Sequence, residues 1–165
     1  VPDFIAYNGP MVTTAAYVPV TTGTAIKTLL QIKAPAATGI TIWKWHVDFD
    51  GTGTTPIKCE LIDTGTVAAT VTAHVAAGLQ CISSHLPIAS AVQIGSTTNS
   101  GYTATAEGTI TTTRYGSLNS VLPGNGDRNE WSLGREFWIP PGNIVRIRVT
   151  ATAAVNAMCF MLWNE

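Results

Sequence analysis

Apolar and polar positions alternate with a period of two along several stretches of this chain. Ile144, Arg146 and Arg148 alternate with Val145, Ile147 and Val149. That period predicts a strand over 144–151 with one buried face. Between Gly39 and Asp50, Ile40, Ile42, Lys44, His46 and Asp48 alternate with Thr41, Trp43, Trp45, Val47 and Phe49. The second set is mostly aromatic or apolar, so a strand crossing the core is expected, with Trp43 and Trp45 on one face. Thr24 to Ala34 reads as a strand closed by Pro35. Asp50 to Pro56 is a turn, and Ile57 to Ile62 is expected to return as the hairpin partner of the preceding strand. Ala157 to Trp163 is a last apolar run, expected to be tied into a sheet.

Other stretches are less regular. Val67 to Val75 fits a strand, although its alanines also suit a helix. Gly78 to Ala106, with Pro87, Gly95 and Gly101, reads as an irregular excursion. Gly108 to Tyr115 is predicted as a strand from its β-branched content. Gly116 to Glu130 reads as a polar loop with Pro123 to Asn129 at its tip, and Gly134 to Ile139 as a strand. Residues 1–22 read as an irregular N-terminal arm. Pro2, Pro10 and Pro19 interrupt ladders there, and the apolar side chains between them need a surface, either their own barrel or a neighbouring subunit.

No sustained 3.6-residue stripe is present, and no repeat of fixed period. The fold class is therefore all-β. The single domain over 23–165 is expected to be a jelly-roll β-sandwich of about eight to nine antiparallel strands, because loops of unequal length suit Greek-key crossings.

Composition narrows the function classes. Charged residues are 12% of the chain, against about a quarter in ordinary domains. The net charge is −1 and no basic run exists, so no nucleic-acid partner is expected. A weakly charged, Thr-rich surface offers little electrostatic protection against self-association. No apolar run approaches the ~20 residues of a membrane helix. No basic segment followed by an apolar one opens the chain, so no secretory leader is expected. Cys59, Cys81 and Cys159 form an odd set without CxxC spacing. They read as buried small residues, not as a disulfide framework or a zinc site.

Candidate chemistry is sparse. Asp48, Asp50 and Gly53 resemble the start of a calcium loop, but Cys59 stands where the bidentate Glu belongs and Glu60 comes one late. His46, His74 and His85 are isolated, without a His-x-His pair. Ser83-Ser84-His85 lacks a nucleophile elbow. Asp48, Asp50, Glu60, Asp63, Glu107, Asp127, Glu130 and Glu136 are available as carboxylates, mostly at predicted turns. No catalytic residue, metal or cofactor is assigned. The five tryptophans, Trp43, Trp45, Trp131, Trp138 and Trp163, suit either a core or a sugar-stacking platform. Trp131, beside the polar loop, is expected to be the most exposed.

The segments Ile42 to Gly51 (ITIWKWHVDFDG without its first two residues), Pro56 to Leu61, Gly134 to Thr150 and Ala154 to Ala157 resemble capsid decoration, or cement, proteins of tailed phages, particularly those infecting actinobacteria. The resemblance runs from about Thr24 to the end of the sequence and is one of strand and turn phrases. It implies a jelly-roll domain, a homotrimer, synthesis in the host cytoplasm and a place on the outer capsid surface. There it would bridge neighbouring major capsid protein subunits, without catalysis. Multivalent attachment of this kind lets modest contacts combine. The contact residues expected are Phe4, Ile5, Tyr7, Met11, Val12 and Tyr17 in the arm, with Asn125, Asp127, Arg128 and Trp131 in and beside the polar loop. The alternative is a glycan- or receptor-binding module of a head fibre or tail.

Overall fold

A computed structural model describes residues 1–11, 14–82 and 88–165. Among them are thirteen strands: β1 Asp3–Tyr7, β2 Val20–Thr21, β3 Ile26–Lys33, β4 Ile40–Phe49, β5 Ile57–Asp63, β6 Thr70–Ala73, β7 Gln80–Cys81, β8 Gly101–Ala106, β9 Arg114–Val121, β10 Gly126–Glu130, β11 Phe137–Ile139, β12 Ile144–Thr150 and β13 Asn156–Asn164. One 3₁₀ turn, Ala76–Gly78, interrupts them.

The strands form two antiparallel sheets. The first has the order β10-β4-β13-β1-β7, with β11 also on β4 and β2 also on β13. The second has the order β6-β8-β3-β12-β5-β9. The chain is thus an all-β sandwich. Its core strands pass back and forth between sheets, so β4 and β5 are not the hairpin partners expected. They sit in opposite sheets, and the Gly51–Pro56 turn carries the chain across.

The core lies between the facing surfaces. Val145, Ile147 and Val149 of β12 point inward, as the alternation predicts, and meet Cys159, Met161 and Trp163 of β13 in one cluster. Phe4 of β1 stacks on Trp163 with ring centroids 5.9 Å apart. Burying each such side chain contributes roughly 1.5–3 kcal/mol.

Several sequence expectations are corrected. The arm is not a detached segment at its start. Pro2 and Pro10 bracket β1, which pairs with β13 from Asp3↔Asn164 to Tyr7↔Phe160. β1 thus lies on the chain's own sandwich. Residues 116–130 are not a loop: β9 and β10 occupy most of them, joined by a turn at Leu122–Asn125. The strand expected over 108–115 forms only from Arg114, and 107–113 runs outside the sheets.

The phase of β4 also differs. Ile40 and Ile42 point inward, and so do Trp45, Val47 and Phe49. Two residues between Ile42 and Trp45 require a slip, and β13 shows it: Leu162 pairs with Lys44 and Trp163 with Ile42. Trp43 is the extra residue of a β-bulge. Trp43 and Trp45 therefore occupy opposite faces, so they do not form the platform that a shared face would allow, and Trp45 is a core residue.

Candidate functional site: an aromatic groove and an apolar margin

The bulge turns Lys44, His46 and Asp48 onto the outer face of the first sheet. Register then sets a lateral row across four strands: Arg128 of β10 opposes His46 of β4, His46 opposes Phe160 of β13, and Phe160 opposes Tyr7 of β1. Residues directly opposed in antiparallel strands share a face. The His46 and Phe160 rings lie 5.2 Å apart, and those of Phe160 and Tyr7 5.5 Å. In the row beside it, Gly126, Asp48 and Met158 oppose one another.

After β1, Asn8, Met11 and Tyr17 lie against this face. Buried Asn8 is the anchor: its Nδ2 donates to the Ala157 carbonyl at 3.0 Å, and the Cys159 N–H donates to its Oδ1 at 2.8 Å. The Tyr17 hydroxyl donates to the same Oδ1. Burial holds the Tyr17 phenol above its ordinary range. Tyr17, 6.3 Å from Tyr7 between ring centroids, and Met11 thereby wall a groove of about 540 Å³.

Polar groups mark the groove's other side. His46 Nε2 lies 2.6 Å from Asp48 Oδ2, and the Asp48 side chain is 41% exposed. Arg128 is exposed. Gly126 makes room for the carboxylate, since a Cβ there would sit 1.6 Å from Asp48 Oδ1.

A second feature lies where the sheets meet at β9, β10 and β11. Inward-facing polar side chains join the two edges. Asn119 donates to Asp127 Oδ2, Asn129 donates to the same oxygen at 2.7 Å, and Ser117 donates to Asn129. The Arg114 guanidinium donates to the Trp138 carbonyl and lies 4.8 Å from the Phe137 ring. Around this seam Tyr115, Leu118, Leu122, Leu133 and Trp138 are exposed, Leu118 by 61% and Leu133 by 97%.

The expected contact residues divide accordingly. Tyr7, Met11, Tyr17 and Arg128 converge on the groove. Ile5 lies on the same outer face, opposite Leu162. Phe4 is fully buried in the core and offers nothing to an outside partner. Val12 lies outside the described residues. Asn125 is exposed in the β9–β10 turn, and Asp127 is held in the seam. Trp131 is half-buried and stacked on Phe137 at 6.1 Å, so Trp138, at 51% exposure, is the tryptophan that faces outward. His46, Asp48 and Phe160 were not among the expected contacts. Their sequence signal is the spacing of two between His46 and Asp48, which puts both on the face opposite Trp45, Val47 and Phe49.

Elsewhere, His74 is buried against Tyr102 at 5.0 Å between ring centroids. Burial pulls its imidazole down to about 4, and a hydrogen bond to the Tyr7 backbone works against that. Burial also pushes the Cys59 thiol up to about 12, with Asp127 and Glu60 adding to the effect. Among the described residues, no group of three His, Cys, Asp or Glu side chains is placed to hold a metal ion. His85 and the Ser83-Ser84 pair lie outside them.

Comparison of the chain with protein-family models, with curated proteins and with solved structures finds no match in any of the three.

Proposed function

We propose that the chain is a non-enzymatic structural protein of a phage virion, a decoration protein that binds the outer capsid surface. It bridges major capsid protein subunits there as a homotrimer. The observation that carries this reading is the β9–β11 margin. Single exposed apolar side chains are ordinary, but five within 115–138, beside the seam of two sheets, suit a surface meant to be covered. The side-chain ladder of Ser117, Asn119, Asp127 and Asn129 ties the margin's strands together beneath them. A partner would therefore meet a preformed surface, and little ordering would offset the binding energy.

The phrases that carry the resemblance to decoration proteins fall on β4, β5, β11, β12 and the start of β13. They belong to the frame, so they speak for a shared architecture more than for a shared contact. A jelly roll is part of the reading. Eight strands taken in chain order, β1, β3, β4, β5, β9, β10, β12 and β13, give the neighbours β1-β13-β4-β10 and β3-β12-β5-β9. Two interlocked Greek keys produce that order.

Co-sedimentation with empty heads of the source phage tests the function. Saturable pelleting with the heads is expected, and a chain that stays in the supernatant at every head concentration contradicts the reading.

A further inference from the structure

We propose that the groove on the outer face of the first sheet binds a neutral saccharide. The inference does not rest on the decoration reading, because sugar binding and head binding are separate measurements on separate surfaces.

The groove combines two kinds of surface. Tyr7, Phe160 and Tyr17 supply ring faces, tilted by 54° between Tyr7 and Phe160 and by 58° between Tyr7 and Tyr17. Asp48 and Arg128 supply charged polar atoms beside them. A pyranose ring has matching parts: one face of C–H groups and a rim of hydroxyls that both donate and accept. The aromatic faces take the C–H surface. The carboxylate accepts from hydroxyls, and the guanidinium donates to hydroxyl oxygens.

Charge selects among ligands. Asp48 and Arg128 carry opposite signs on one rim, so an anion meets Asp48 and a cation meets Arg128. A neutral ligand with many hydroxyls meets no such conflict and can use both. The volume of about 540 Å³ lies within the range of about 300–1,000 Å³ common for small-molecule sites.

The site is held from beneath. Each ring of the row stands on a different strand of a continuous ladder, and Asn8 holds the Tyr17 hydroxyl. Gly126 is needed where it stands, because any side chain would displace the Asp48 carboxylate.

The test is a titration followed by amide chemical shifts. Methyl glycosides of glucose, galactose, mannose and N-acetylglucosamine are added separately, with choline and inorganic phosphate as charged controls. At least one glycoside is expected to shift Tyr7, His46 and Phe160 saturably in the millimolar range. Phe160→Ala should weaken that binding about three- to tenfold, the worth of one aromatic contact. Asp48→Asn, which keeps the shape of the side chain, and Gly126→Ala should weaken it as well, while Trp138→Ala leaves it unchanged. The proposal is overturned if no glycoside shifts these residues. It is also overturned if binding survives both Asp48→Asn and Phe160→Ala, or if only choline or phosphate binds.

Discussion

Arg146 and Glu107 form an ion pair across the outer face of the second sheet. Arg146 Nη1 donates to the Glu107 carbonyl at 3.0 Å, and the Glu107 Oε2 lies 3.5 Å away, with the arginine side chain wholly closed to solvent. The same carboxylate takes the Thr28 hydroxyl at 2.6 Å. Burial lowers the Arg146 guanidinium to about 10, against the favourable charge of Glu107. Removing one member of such a pair leaves the other buried and uncompensated. Glu107→Ala is therefore expected to cost about 3–5 kcal/mol in urea unfolding. The double change Glu107→Leu with Arg146→Met should recover much of that loss.

His74 makes stability depend on pH. Its imidazole titrates near 4 in the folded chain, below the ordinary 6.5. The unfolded chain therefore binds more protons between those values, and stability falls as pH drops from about 6.5 towards 4. The full loss is on the order of 3 kcal/mol. Comparing urea midpoints at pH 7 and pH 4.5 checks this. His74→Phe should flatten the difference, and an unchanged difference would remove His74 as its source.

The start of the chain is structural. Deleting residues 1–8 removes Phe4 and Ala6 from the core, the β1 ladder with β13, and the Asn8 anchor. Loss of a core phenylalanine alone costs about 3–5 kcal/mol. The truncated chain is expected to lose its cooperative thermal transition, because β1 belongs to the sheet and its core.

What could be read from the sequence, and what could not, follows the physics of each element. The alternation in β12 is unbroken, and both β12 and the apolar run that becomes β13 lie where the sequence predicts. In β9 and β10 the inward positions hold Ser117, Asn119, Asp127 and Asn129, which satisfy one another instead of burying apolar area. A hydrophobic period cannot reveal such strands. The bulge at Trp43 is legible only as a change of phase between Ile42 and Trp45. Pro2 and Pro10 look like breakers, yet they flank β1 without entering it. The groove could not be assembled from sequence, because Tyr7, His46, Arg128 and Phe160 come together only through the register of four strands distant along the chain.

Self-association gives a further prediction. A homotrimer of 17.4 kDa chains weighs about 52 kDa. Size-exclusion chromatography with light scattering should show that mass, and its persistence on dilution would mark an obligate assembly. A monomer at every concentration would contradict the trimer.

The central claim is that the β9–β11 margin docks the chain onto a capsid. Co-sedimentation with empty heads, comparing the unaltered chain with the double variant Leu118→Glu, Leu133→Glu, tests it most directly. Both leucines are exposed, so the variant should fold as before, with an unchanged thermal transition. The prediction is that the unaltered chain pellets with the heads and the variant stays in the supernatant. Equal pelleting of the two, or pelleting of neither, would contradict the account.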